Sequence, residues 1–98
     1  IQTLEYLRVR GVHGIIIGDR FRMYLVHERE EVIPAFSGYV SVFSYGETCM
    51  VSEYGMKYNL VRYRLDNAFP LGVSNEVAES EGHIIVHGGT ALVVEYHN

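Results

Sequence analysis

The stretch His83-Ile84-Ile85-Val86-His87-Gly88-Gly89-Thr90-Ala91-Leu92-Val93-Val94-Glu95-Tyr96 decides the fold. Two β-rich runs, His83 to His87 and Thr90 to Tyr96, flank a pair of glycines free to take the positive φ angles of a type I′ turn, so a β-hairpin is predicted. In that hairpin Ile84, Val86, Ala91 and Val93 share one face, while Ile85, Leu92 and Val94 share the other. Both faces are apolar, which places the pair centrally or under cover on both sides.

Working outward, the same period of two recurs. Tyr39 to Tyr45 and Thr48 to Tyr54 flank Gly46-Glu47, and Met56 to Leu65 follows Gly55, which reads as a three-stranded meander. Its Val40, Val42, Cys49 and Val51 are small or β-branched and suffice for a core. The opposite face carries Tyr39, Phe43, Tyr45, Met50 and Tyr54. An aromatic face of that kind suits a partner interface, the alternative being a second layer that covers it. Upstream, Ile15 to Ile17 meets a Gly18-Asp19 turn and returns through Arg20 to Val26. That register pairs Ile17 with Arg20 and puts Val12, Ile16, Phe21, Met23 and Leu25 on the core face. Leu4 to Arg10 also reads as a strand.

Two segments break the pattern. Glu28 to Ser37 gathers charge before Pro34 and reads as a solvated loop or one helical turn. Asn67 to Gly82 contains Pro70 and Gly72, then Ser74-Asn75 positioned to cap a short acidic helix over Glu76 to Glu79. Residues 1–98 are expected to form a single all-β or β-rich α+β domain. It would be a compact barrel or sandwich of about seven to eight mostly antiparallel strands, with one or two short helical turns.

Composition narrows the function. Ninety-eight residues, 48% hydrophobic and 20% charged, allow one core but no second domain for a cofactor. A formal net charge of -4 disfavours a coat on nucleic acid or anionic lipid. The lone Cys49 forms no internal disulfide and weakly favours a cytoplasmic setting. No apolar run is long enough for a membrane helix, and the start at Ile1 suggests a processed or excised chain.

The cations are unusual: seven arginines against one lysine, Lys57. Six fall two residues apart, as Arg8 and Arg10, Arg20 and Arg22, and Arg62 and Arg64. On a strand each pair lies on one face about 7 Å apart, able to straddle a phosphate or carboxylate. Tyr6, Tyr24 and Tyr58 accompany the pairs and offer stacking surfaces. The alternative is cross-strand pairing with the twelve acids on a solvated face. His83 and His87 stand roughly 13 Å apart on a strand, too far to share an ion, so no metal site and no cofactor is assigned. Cys49 reads as a small core residue.

The run Gly18-Asp19-Arg20-Phe21, with Tyr63-Arg64-Leu65, Pro70-Leu71 and Gly88-Gly89, resembles in scattered tripeptides the NAD-cleaving toxin domains of the tuberculosis necrotizing toxin type. Thr90-Ala91 stands where that family has a glutamine. The resemblance implies that Arg20 would hold the cofactor phosphates.

Two functions are therefore expected. One is a non-catalytic binding or assembly module, homo-oligomeric or with a protein partner. It would recognise an anionic ligand through Arg8, Arg10, Arg20, Arg22, Arg62 and Arg64, and a partner through Tyr39, Phe43, Tyr45 and Tyr54. The other is a small nucleotide- or NAD-acting enzyme with arginine phosphate contacts and Glu95 as acid or base.

Overall fold

The computed structural model describes residues 15–66 and 73–98. Arg8, Arg10, Val12 and the strand expected over Leu4 to Arg10 lie outside the described residues. The architecture is all-β: β1 (Ile15–Ile17), β2 (Phe21–His27), β3 (Glu30–Pro34), β4 (Gly38–Tyr54), β5 (Leu60–Asp66), β6 (Val73–Asn75) and β7 (Glu81–His97). All pairings are antiparallel. Five strands form one path, β1-β2-β7-β4-β5, with β3 added on β7 and β6 on β4. Among the described residues this path does not close, so the expected barrel is absent, and there is no helix to cross a membrane.

The largest departure from expectation lies in the opening stretch. Gly88-Gly89 is not a hairpin turn: β7 is one strand of 17 residues. Gly46-Glu47 is not a turn either, for β4 also runs 17 residues without interruption. The two long strands pair with each other from Gly38↔His97 to Tyr54↔His83, with register shifts between Tyr45 and Val51. Both bend there. Gly89 has φ 79 and Gly46 φ 103, left-handed conformations that favour glycine. Between the pairs Tyr45↔Thr90 and Met50↔Gly88, β4 has four residues where β7 has only Gly89, so the sheet folds at a large bulge.

The bend makes two leaves that share β4 and β7. In the first, β1, β2 and β6 join Gly38–Tyr45 of β4 and residues 90–97 of β7; in the second, β3 and β5 join residues 50–54 and 81–86. Tyr24, Val26, Val40, Val42 and Val93 from one leaf pack on Ile33, Val51, Leu65, Ile84 and Val86 from the other. The inward set Ile84, Val86, Ala91 and Val93 agrees with the expected face, as do Val40, Val42, Cys49 and Val51. The bulge reverses side-chain parity along each strand, and a two-residue hairpin would have done the same.

Three local expectations are corrected. The β1–β2 hairpin exists, but its register is Ile17↔Arg22, leaving four residues in the connection, closed by the Gly18 amide donating to the Phe21 carbonyl at 2.9 Å. The main core takes Tyr24 and Val26 rather than the face of Met23 and Leu25, which forms a separate outer cluster with Leu92, Phe43, Tyr45 and Val94. Glu30–Pro34 is strand β3, where Pro34 is tolerated at the end of an edge strand. Ser74 and Asn75 belong to β6 and cap no helix; Val77 bridges Met56, and the amides of Ala78 and Glu79 both donate to the Gly55 carbonyl.

Candidate functional site

A β-sheet core of valine and isoleucine has no need of a carboxyl group, yet β4 delivers Glu53 into it, fully buried. Its neighbours in the strand row are Leu60 of β5 and Ile84 of β7. Oε1 accepts from the Asn75 amide at 3.1 Å, while the buried Oε2 has no hydrogen-bond partner. Burial pushes the Glu53 carboxyl up from 4.5 to about 7, against the lowering effect of the Asn75 bond.

Asn75, 1% exposed, is fully used. Its Nδ2 donates to Glu53 and to the Tyr58 carbonyl (2.6 Å), and its Oδ1 accepts from the Tyr58 and Glu76 amides, both at 3.0 Å. One side chain from β6 thus fixes the irregular segment between β4 and β5. Asn59 holds the Met56 amide at 3.1 Å, and the Lys57 amide donates to the Glu76 carbonyl at 2.8 Å.

On the outside of this polar centre Tyr58 is 60% exposed. The Lys57 ammonium stands 5.6 Å from the centroid of its ring and 3.6 Å from a Glu76 carboxylate oxygen. The surface is an aromatic face beside an acid, already occupied by a cation from the chain itself.

A second buried acid lies at the other end of the core. Glu95, in register with Val40 and Arg22, accepts from the Tyr24 hydroxyl at 2.6 Å and lies 3.2 Å from His97 Nε2. Burial, and then the bond to Glu95, push the Tyr24 hydroxyl far above its ordinary range. The His97 ring stacks on Phe36 at 4.0 Å. Both oxygens of Glu95 are engaged, which suits a structural carboxylate better than the acid or base expected of it.

The arginines are dispersed. Arg20 and Arg22 line a cleft of about 280 Å³ with Asp19, Phe21 and His97. Arg64 lines a different cleft, of about 460 Å³, at the bend with Thr48, Met50, Gly88 and Gly89. Arg62 sits in a bulge at φ 47, its amide donating to Ser52 Oγ at 2.9 Å. In the strand order β7 and β4 separate β2 from β5. The expected aromatic face is likewise divided: Tyr39, Phe43 and Tyr45 lie outside the first leaf, Tyr54 outside the second. The histidines are spread over separate partners, His83 to Glu30 at 2.8 Å, His87 to Ser52 at 2.7 Å and His27 to Thr90 at 2.8 Å.

Residues 24–90 match the family model of the thiamin pyrophosphokinase, vitamin B1 binding domain. The chain belongs to this family. The fold agrees: thiamine pyrophosphokinase from Bacillus subtilis superposes with a TM-score of 0.90 at 19% identity, over 99% of this chain and 47% of that one. The enzyme from Geobacillus thermodenitrificans gives 0.86 at 19% identity, over 99% and 46% of the two chains. Thiamin pyrophosphokinase from Candida albicans gives 0.76 at 11% identity, over 97% and 38%. The vitamin B1 binding domain described here therefore spans less than half the length of these structures. No curated protein matches the chain.

Membership overturns both functional expectations, the non-catalytic anion-recognising module and the NAD-acting enzyme. It also redirects attention from the arginines to Glu53, Asn75, Tyr58 and Glu76. Glu53 was overlooked because a single acid in an alternating strand reads as an outward residue, and Asn75 because Ser-Asn reads as a helix cap.

Proposed function

We propose that this chain is the thiamin-binding β-domain of a thiamin pyrophosphokinase-type enzyme, and that the vitamin engages the Tyr58–Glu76 surface. The family match over residues 24–90 carries the first statement. Charge supports the second. Thiamin bears a permanent positive charge on its thiazolium ring, so an arginine-lined cleft repels it, whereas an exposed tyrosine face beside a carboxylate attracts it. The Lys57 ammonium over Tyr58 shows that the ring accepts a cation. The diphosphoryl donor is assigned to a site outside this β-domain, in keeping with the share of the solved kinases that the chain spans.

Calorimetric titration of the full-length protein with thiamin tests this. A cation over an exposed ring contributes about 0.5–1 kcal/mol, so Tyr58→Ala weakens binding about two- to fivefold, while Tyr58→Phe retains it. Absence of thiamin binding refutes the functional reading. Binding that ignores both Tyr58→Ala and Glu76→Gln refutes the placement alone. The outer face of the first leaf, with Tyr39, Phe43 and Tyr45, is proposed as the surface for a second copy. It already carries an apolar cluster around Leu25 and Leu92, and sedimentation of a Phe43→Glu variant tests it.

A further inference from the structure

We propose that Glu53 couples occupancy of the Tyr58–Glu76 surface by the thiamin cation to release of a proton from the core of this domain. The inference rests on the reading of the preceding section and concerns how that site is regulated.

The geometry is a relay of one side chain. Asn75 Nδ2 touches Glu53 Oε1 at 3.1 Å and the Tyr58 carbonyl at 2.6 Å, while its Oδ1 receives the amides of Tyr58 and Glu76. The buried carboxyl therefore lies directly behind the surface that takes the cation. Its Oε2 has no partner, so the uncharged acid is the form the empty domain accommodates.

Few charges compete. Across β7 the facing residue is Ile84, and across β5 it is Leu60. On β3, beyond Ile84, stands Glu31, which is paired with Arg29. Outside, Lys57 is paired with Glu76. Burial and the Asn75 bond are the influences resolved on Glu53, so a new positive charge nearby acts on a group otherwise set by desolvation.

The step balances simply: the Glu53 O–H bond breaks, the proton leaves to solvent, and the carboxylate remains facing the cation side. A unit charge about 8 Å away at an effective dielectric of about 20 favours the carboxylate enough to lower its midpoint by about 1.5 pH units. Starting from a carboxyl that is half ionised at about pH 7, binding at about pH 7 releases roughly half a proton per ligand. By reciprocity, thiamin binds about eightfold more tightly at about pH 8.5 than at about pH 6.

Calorimetry of the full-length protein with thiamin at about pH 7, in phosphate and in Tris, measures the proton directly from the difference in heat. The expected result is about half a proton released by the native protein and none by Glu53→Gln, whatever that variant's affinity. A second readout needs no variant: carbon-13 NMR of the Glu53 carboxyl, titrated with and without thiamin, shows the midpoint falling by about 1.5 pH units. Thiamin binding with no buffer dependence and an unmoved midpoint overturns this inference and leaves the functional reading intact. No thiamin binding at all overturns both.

Discussion

Replacing each glycine of Gly88-Gly89 by alanine separates a bend from a turn. Gly89 has φ 79, and a Cβ built there lies 2.5 Å from the Thr48 carbonyl oxygen and 3.1 Å from Cys49 Cβ. The left-handed backbone costs an L-residue about 1–2 kcal/mol. Parting two paired strands to admit the methyl group adds about 1–3 kcal/mol. Gly89→Ala is therefore expected to lose about 3 kcal/mol, lowering the urea midpoint by about 1–3 M. Gly88 has no positive φ, and its Cβ would meet nothing within 4 Å. Gly88→Ala is expected to be neutral or to gain about 0.4–1 kcal/mol by restricting the unfolded chain. A type I′ hairpin would need positive φ at both positions and penalise both alike. Equal losses at the two positions, or a Gly89→Ala midpoint unchanged within error, would refute the bend.

Glu53 predicts a pH profile for stability. Its folded midpoint is raised from 4.5 to about 7, so the group's contribution is present below 4.5 and is lost as the pH rises through about 7, by up to about 3 kcal/mol in all. Denaturation of the native protein and of Glu53→Gln across this range should show that the variant lacks this component of the slope, and parallel curves would count against it. Arg62 stands at φ 47 in its bulge, so Arg62→Gly should be neutral or stabilising by up to about 1 kcal/mol, whereas Arg64→Gly, within the regular ladder, should lose about 0.5–1 kcal/mol. Paired urea titrations compare the two. Tyr24→Phe removes the 2.6 Å donor to buried Glu95 and should cost about 1.5–3 kcal/mol, measured by thermal or urea unfolding; a loss under about 0.5 kcal/mol would show that Glu95 finds another donor.

Much of the fold was legible because side-chain alternation is a local property. Ile84, Val86, Ala91 and Val93 face inward whether the chain turns at Gly88-Gly89 or bends there, since both geometries reverse parity at the glycines. Val40, Val42, Cys49 and Val51 follow the same logic about Gly46. The choice between turn and bend was not local. A two-glycine segment permits either, and the outcome was set by the ladder between β4 and β7, whose partners at one end, Gly38 and His97, are far apart in the chain. The same long pairing made Glu30–Pro34 an edge strand of β7 instead of a loop, and Val73–Asn75 a strand on β4 instead of a helix cap.

Function divides along the same line. Spacing alone identified three arginine pairs, but distance in the sequence carries no information about which strands become neighbours, and the order β1-β2-β7-β4-β5 keeps β2 and β5 apart. The acid that matters to the candidate site carries no motif. Glu53 is one carboxylate among twelve acids in the sequence, and it becomes unusual only where the second leaf closes over it, Asn75 arrives from β6 and water is excluded. Period and composition determined an all-β chain and which side chains face inward, because those follow from backbone geometry within a few residues. Tertiary structure decided where the strands bend, which polar groups meet and how far burial shifts a proton equilibrium, because each depends on surfaces contributed from distant parts of the chain.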